Sequence, residues 1–315
     1  MTASRGHRIA IILPCHNEAG AIARVIEDFR EALPEAVIYV YDNNSSDGTV
    51  ETARQHGAIL RYERRQGKGH VVRRMFADIE ADIYVLADGD GTYHAASSSR
   101  MVDCLLADNL DMVVGIREEG AGEGLYRRGH QFGNRLFTRI VRLLFGDQFS
   151  DILSGYRVMS RRFVKSFPAI TEGFEIEAQL AIHALDLGLP CAEIATPYAL
   201  RPVGTKSKLR TWRDGTRILL AILRLFKETR PLSFFGLLSL LVAATSAGLG
   251  APLVVEYLQT GLVPRFPTAV LASGLGVMAA IFVTAGVILD TVARNHRELK
   301  RIAYSSIPAP QTREP

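Results

Sequence analysis

Asp88-Gly89-Asp90 closes the apolar run Ile83-Tyr84-Val85-Leu86-Ala87. Two carboxylates at i and i+2 after a buried strand are hard oxygen ligands of the kind Mg2+ or Mn2+ takes, with substrate phosphates filling much of the remaining shell. Alone, such a pair is also the chemistry of a plain turn, since Asp and Gly both favour turns. Asp42 ends a second β-rich run, Ala36–Tyr41, and Asn43-Asn44-Ser45-Ser46-Asp47-Gly48-Thr49 follows it. Asp47 reads as the N-cap of the next helix. That leaves Asp42 to accept hydrogen bonds from a base.

The elements that must carry these residues alternate. Arg8–Leu13, Ala36–Tyr41, Ala58–Tyr62, Asp82–Ala87 and Asp111–Val114 read as strands, with helical periodicity in Ala19–Ala32, Val50–His56 and Gly69–Glu80. Alternation of this kind predicts a parallel α/β sheet with helices on both faces. Ligands on such sheets bind at the carboxyl ends of the strands. The polar clusters Pro14–Glu18, Asp42–Asp47, Asp88–Asp90 and Arg117 fall there.

The 315 residues are 48% hydrophobic and 22% charged, with a mean hydropathy of +0.10. This composition excludes a disordered chain, a collagen and a disulfide scaffold. A net charge of +4 admits anionic substrates or an anionic membrane surface. Cys15, Cys104 and Cys191 are odd in number and far apart, which argues for reduced thiols in the cytosol. Met1–Arg8 is polar and reads as no signal peptide. The hydropathy excess is C-terminal. No charge lies between Arg230 and Glu256, a gap of 25 residues, or between Arg265 and Asp290, a gap of 24. Each exceeds the ~20 apolar residues that cross a bilayer, so spans are expected over about 232–256 and 267–290, the alternative being buried core helices. Ser246, Gly248, Gly250, Gly274 and Gly276 would let the two helices approach closely. Lys and Arg crowd the outer flanks and only Arg265 lies in the connecting loop, which places both termini in the cytoplasm. Phe132–Phe145 and Arg210–Lys227 read as basic amphipathic helices. The first suits either an anionic membrane surface or packing on the protein's own core, whereas the second, which runs straight into a span, is expected at the membrane surface. The expected organisation is a catalytic domain over 1–209 including an interfacial helix near 130–146, a juxtamembrane helix over 210–230, a hairpin over 231–292, and a basic, then Pro-rich and disordered, tail over 293–315.

Together Pro14-Cys15-His16-Asn17-Glu18, Asp42 with Ser45-Ser46-Asp47-Gly48-Thr49, Gly67-Lys68-Gly69 and Asp88-Gly89-Asp90 occur in the order and spacing of glycosyltransferase family 2. Asp151-Ile152-Leu153-Ser154-Gly155-Tyr156-Arg157 resembles the D-x-x-S-G-[FY]-R segment of its polyprenyl-phosphate branch, which includes dolichyl-phosphate mannose synthases. The resemblance implies a GT-A fold with a C-terminal two-helix transmembrane hairpin and a nucleotide-sugar donor. It implies that Pro14, Asn17, Glu18 and Asp42 hold base and ribose, that Lys68 sits by the diphosphate, that Asp88 contacts donor sugar or ribose, and that Asp90 is the main ligand of Mg2+ or Mn2+, with Thr92 where relatives carry a third oxygen ligand. Arg117, Arg128, Arg157 and Arg201 match basic positions facing the lipid phosphate. Ser154 belongs to the same motif, and the segment Arg201–Lys208 resembles a mobile basic loop over the site. Asp90, Asp88, Arg157 and Arg117 are the implied catalytic set. Glu175 and Glu177 match an acidic segment; they bind sugar hydroxyls or complement a helix dipole. His183 reads as an ordinary helix residue.

The implied reaction needs no general base, because a lipid monophosphate is already anionic near neutral pH. Single displacement would invert the anomeric centre. The turn sequences favour a UDP-sugar, with undecaprenyl phosphate in a bacterial inner membrane as acceptor and no nucleic acid as partner. Family members often assemble through the membrane region, so a homo-oligomer is one expectation. The alternatives are a GDP-mannose-dependent synthase, a membrane glycosyltransferase with a non-polyprenyl acceptor, and a membrane-tethered nucleotide-sugar binder without turnover. A processive polysaccharide synthase is disfavoured, since no Q-x-x-R-W motif is present and Thr211 precedes Trp212.

Overall fold

The computed structural model describes residues 6–118, 128–169, 171–173, 175–199 and 211–310, with the backbone alone for 118, 128–135 and 211–214. The chain divides into two compact units, Met1–Ile222 with Lys300–Pro315, and Leu223–Leu299.

In the first unit, β1 (Ile9–Cys15) carries no charge and is covered on both faces. Ile9, Ile11 and Leu13 join one core cluster with α1 (Ile22–Ala32) and α4 (Ser97–Ala107), while Ala10 and Ile12 are buried outside it. A continuously apolar strand belongs in the middle of a parallel sheet. β1 pairs in parallel with β2 (Val37–Asp42) and β4 (Ile83–Leu86), and β2 with β3 (Ile59–Tyr62). With β5 (Met112–Glu118), β6 (Arg157–Ser160) and β7 (Cys191–Pro197) the order is β3-β2-β1-β4-β6-β5-β7.

The sheet is mixed, which corrects the parallel expectation: β6 runs antiparallel to β4 and β5. Its direction follows from the register. Arg157 pairs with Leu86, the last residue of β4, and with Val114 of β5, so β6 starts at the edge where the parallel strands end. Cys15, Asp42, Leu86 and Glu118 therefore share an edge with Arg157. Four residues beginning with an arginine give no usable period, and β7 was not apparent in the sequence either. α2 (Thr49–Gln55) follows β2 and α3 (Lys68–Asp78) follows β3. α5 (Arg128–Phe145), α6 (Arg161–Ser166) and α7 (Ile176–Leu187) complete the domain up to β7, and α8 (Thr211–Thr229) follows it.

The apolar sides of the two amphipathic helices are covered. Phe137, Val141 and Phe145 of α5 are buried, as are Ile218, Ile222, Leu225 and Phe226 of α8. Their exposed faces mix leucine with basic residues: Leu136 and Leu143 beside Arg139 and Arg142, Leu220 and Leu223 beside Arg217, Arg224 and Lys227.

The second unit holds most of α9 (Pro231–Thr260) and α10 (Phe266–Ser305), both long and apolar enough to cross a membrane. Ser239 Oγ donates to the Ala279 carbonyl at 2.8 Å and Ser246 Oγ to that of Ala272 at 2.7 Å. A methyl added at Gly250 would touch Ala272, and one at Gly276 would touch Ser246, whereas Gly248 and Gly274 face open space. Small residues and hydroxyls thus make the helix contact.

α10 remains helical to Ser305, past the span, and residues up to 310 are described, with Pro310 buried; the rest of the expected disordered tail lies outside the described residues. Lys300 onward belongs to the first unit. There Asp111, fully buried at the start of β5, accepts hydrogen bonds from Ser160 Oγ (2.7 Å), from Nε and Nη2 of Arg162 (2.5 and 3.0 Å) and from Tyr304 Oη (2.7 Å). Burial, and then the bond to Asp111, push the Tyr304 phenol up. Tyr304→Phe is expected to cost about 1.5–3 kcal/mol, one hydrogen bond to a charged group. Asp111→Ala should cost about 3–5 kcal/mol, because it strands the buried face of Arg162. Thermal unfolding in detergent should rank the melting temperatures Asp111→Ala below Tyr304→Phe below wild type; a Tyr304→Phe protein melting with wild type would show the contact to be idle.

Candidate active site

The site is assembled from loops at the carboxyl edge of the sheet, and side chains tie those loops to one another. Asn17 takes φ 52, a left-handed conformation that Asn tolerates better than most residues. Its Oδ1 accepts the Ser46 N–H at 2.7 Å, and its own N–H donates to Ser45 Oγ at 2.9 Å. The Glu18 N–H donates to Thr49 Oγ1 at 2.8 Å. Asp47 accepts the N–H groups of Ala19 and Thr49, so it bridges two loops, and Gly48 occupies the N-cap of α2 that the sequence assigned to Asp47. Asp42 is buried and its carboxylate accepts the Ser45 N–H at 3.2–3.3 Å. Asn43 extends the network: its Nδ2 donates to the carbonyls of Glu63 and Arg65, and its Oδ1 accepts the Gly67 N–H, each at 2.8 Å. Pro14, Asn17, Glu18 and Asp42 are thus brought together, and the same bonds reach Gly67-Lys68-Gly69.

The glycines of that triplet are needed for close approach. A methyl at Gly67 would overlap the Glu172 carbonyl, and one at Gly69 the Thr171 carbonyl; the Gly69 N–H donates to Glu172 O at 3.0 Å. Backbone at 171–172 is pressed against the start of α3, which carries the acidic segment to Lys68. Lys68 Nζ lies 2.5 Å from Asp88 Oδ1 and 2.6 Å from Glu177 Oε1. Only 8% of the Lys68 side chain and 5% of the Glu177 side chain are exposed, against 30% for Asp88. Burial alone would push the ammonium down; Asp88 and Glu177 outweigh it and hold it above the ordinary lysine range. Burial pushes Glu177 up, with Asp88 adding to the shift and Lys68 opposing it. Gly155 completes the cradle, since a methyl there would stand 3.0 Å from Asp88 Oδ2 and from Lys68 Nζ. The glycine of the S-G-Y-R motif therefore keeps space open beside Asp88.

Beneath the D-G-D turn, a methyl at Gly89 would overlap Cys15 Sγ. Asp90 is buried and its Oδ1 accepts from Thr92, at 3.1 Å from the N–H and 2.7 Å from Oγ1. Thr92 here orients the carboxylate. Among the described residues no cluster of three or more His, Cys, Asp or Glu side chains could hold a metal. Asp88 and Asp90 on one turn still fit a hard divalent cation whose shell a bound diphosphate completes. Tyr93 adds a wall: its Oη accepts the Gly155 N–H at 2.8 Å, and burial, then the charge of Asp88, push its phenol well up. Tyr93 bridges to Tyr198, and the Ala199 N–H donates to the Thr92 carbonyl, so residues 198–199 are pinned to the turn.

The arginines separate into different roles. Arg117 pairs bidentately with Asp151, at 2.8 and 2.9 Å, and lies 5.7 Å from the Tyr198 ring centroid. Arg157 does not reach a ligand surface, which corrects the expectation that it grips a lipid phosphate. It is fully buried, its Nε donates to Ser154 O at 3.0 Å, and its Nη2 to Ile152 O and Glu177 O at 2.9 and 2.8 Å. Ser154 is likewise buried and donates to Gly115 O at 2.6 Å, so it supports the turn and offers no surface to an acceptor. The side chains of Arg128, Arg201 and Lys208 lie outside the described residues. Glu177 was singled out by sequence, but nothing there linked it to Lys68, 109 positions away. His183 is a core residue between Phe163 and Phe167, pushed down to about 3 by burial and then by Lys300.

Two substitutions probe this packing. Arg157→Ala should cost at least about 3 kcal/mol, since it strands buried carbonyls and leaves the charge of Glu177 less balanced; a melting temperature near wild type would place Arg157 outside the framework. Gly89→Ala should lower the melting temperature, and Cys15→Ala in the same chain should restore much of it, because the next atom, Ile22 Cδ1, is 3.5 Å from the added methyl. Failure of the second change to rescue the first would mean the turn is not seated on Cys15.

Residues 10–167 match the family described as Glycosyl transferase family 2. The chain is similar to glycosyltransferase AglJ of Haloferax volcanii, with 34% identity over 298 residues, 93% of this chain and 97% of that one. It is also similar to the dolichyl-phosphate hexose transferase of the same organism, with 28% identity over 222 residues, 70% and 95% of the two chains. Glucosyl-3-phosphoglycerate synthase from Mycobacterium tuberculosis, solved with Mn2+, UDP and glucosyl-3-phosphoglycerate, shares the fold at a TM-score of 0.60, with 23% identity, 70% of this chain and 81% of that one covered. The mixed α/β sheet is the GT-A fold, and the chain belongs to glycosyltransferase family 2.

Proposed function

We propose that the protein transfers a sugar, with inversion, from a UDP-sugar to the phosphate of a polyprenyl phosphate, undecaprenyl phosphate in a bacterial membrane. The observation that carries this reading is the D-G-D turn with Lys68 drawn onto Asp88, in a cradle that close backbone approach at Gly67 and Gly69 assembles and that Gly155 keeps open beside Asp88. Two helices apolar enough to cross a membrane support a lipid acceptor, as does similarity to a dolichyl-phosphate hexose transferase.

In this reading Pro14, Asn17, Glu18 and Asp42 hold the nucleoside end of the donor, and Lys68 lies by its diphosphate. Asp88 and Asp90 would hold Mg2+ or Mn2+, which when bound would supply positive charge to the leaving diphosphate. The lipid phosphate is its own nucleophile, its second pKa being about 6. What the chain contributes is positive charge to bring two anions together. Arg117 suits that role: Asp151 orients its fork at the end of β5, and Arg128, Arg201 and Lys208 would add to it. The exposed leucines and basic residues of α5 and α8 fit a surface laid against anionic headgroups. The flanking charges favour a cytoplasmic side for the catalytic unit and both termini.

The full chain in detergent, given undecaprenyl phosphate and a panel of UDP- and GDP-sugars with Mg2+ or Mn2+, should yield a monosaccharide glycolipid identified by mass. GDP-mannose as the sole productive donor would favour the mannose synthase alternative. Asp90→Asn should reduce transfer at least about 100-fold with an unchanged melting temperature, since an amide cannot supply the metal's counter-charge; full activity of this variant would remove the metal assignment.

A further inference from the structure

Lys68 is shared by two carboxylates, and Glu177 lies outside the D-G-D turn. We propose that Glu177 is a positioning residue for Lys68: it holds the ammonium beside Asp88, and keeps it there when Asp88 and Asp90 take up a divalent cation and a donor diphosphate. The inference rests on the functional reading above and deepens it.

The charges make the case. With Asp88 as its sole partner, Lys68 would be a buried cation locked onto a carboxylate that the metal needs. An incoming divalent ion would then meet a like charge whose only counter-ion it was displacing, and burial makes such repulsion expensive. A second carboxylate removes the conflict, because Lys68 stays neutralised when Asp88 turns to the metal. The ammonium remains at the edge of the metal site, placed to meet the diphosphate.

The geometry shows that Glu177 is fixed for this. Gly67 and Gly69 admit the backbone at 171–172 against the start of α3. Gln179 clamps the same segment, its Oε1 accepting the Thr171 N–H at 3.0 Å and Thr171 Oγ1 at 2.8 Å, its Nε2 donating to Pro168 O at 2.8 Å. The buried Arg157 donates to the Glu177 carbonyl at 2.8 Å. Within this frame Glu177 Oε2 is buried and has no hydrogen-bond partner among the described residues. A half-satisfied buried carboxylate is costly. Complementing the dipole of α7 from its first turn does not require the side chain to be buried, whereas reaching Lys68 does.

The test uses the full chain in detergent, as wild type, Lys68→Met, Glu177→Gln and the double variant, with two readouts. The first is thermal unfolding without ligand. Lys68→Met leaves Glu177 buried without its counter-ion, so the double variant should melt above Lys68→Met alone. The second is calorimetric titration of UDP and of GDP, each with Mn2+ and with EDTA. For the nucleotide that wild type binds, Glu177→Gln should weaken binding about 10-fold or more with Mn2+, and less than about 3-fold with EDTA. In the Lys68→Met background the same change should have little further effect. If Glu177→Gln melts below the assay temperature, Glu177→Asp, which keeps the charge one methylene short, carries the titration and should fall between wild type and Lys68→Met. Additive losses in the cycle, or equal losses with Mn2+ and EDTA, would overturn the positioning role while leaving the functional reading intact. Wild type binding neither nucleotide would overturn both.

Discussion

An ammonium sealed between two carboxylates needs both of them within reach, and the catalytic unit is organised around that requirement. Lys68 comes from the start of α3, Asp88 from the turn after β4 and Glu177 from the first turn of α7. Bringing these together presses three stretches of backbone into contact. Side chains beyond hydrogen would block the contact at Gly67, Gly69 and Gly155, while Arg157 fills the space below and bonds the carbonyls on either side. Desolvation opposes such a charge, so the carboxylates must outweigh it; Asp88 and Glu177, 2.5 and 2.6 Å from Nζ, hold Lys68 above the ordinary lysine range.

Much of this was legible in the residues. The D-G-D turn was readable because a charged pair after five apolar residues has few places to go, and Asp42 for the same reason. The two long apolar helices were readable from charge-free length. Other features were hidden for physical reasons. Arginine is rarely fully buried, so Arg157 reads as a phosphate ligand although its fork is spent on backbone carbonyls and the Met112 sulfur. β6 is four residues long and begins with that arginine, too little for a period to emerge, and its reversed direction follows from the path of the chain between β5 and β6. The Lys68–Glu177 pair joins residues 109 positions apart; both were noticed singly, and only the fold connects them. The glycines on either side of Lys68 were read as part of a motif, but the reason for them lies in the neighbouring segment at 171–172.

The second unit obeys a different solvent. Most of the apolar side chains of α9 and α10 are exposed, Leu240 and Leu241 among them. Its internal contact rests on small residues and two serine hydroxyls bonded to carbonyls across the helix pair, which is how helices associate where burial of apolar surface gives no advantage. The catalytic unit, by contrast, is held by a core of alternating strand residues and by buried charges such as Asp111. Each unit is consistent with the medium its composition implies, and the lipid-phosphate acceptor proposed above would account for both in one chain.

The central claim is that the oxygen of a lipid phosphate attacks the donor sugar directly while the diphosphate leaves intact. Undecaprenyl phosphate carrying 18O on its phosphate, incubated with the chain, Mn2+ and the productive donor, tests it most directly by mass spectrometry of both products. The account predicts that all of the label stays with the glycolipid, that the released nucleoside diphosphate is unlabelled, and that the sugar's anomeric configuration is inverted. Label in the released nucleotide, or retention of configuration, would contradict it.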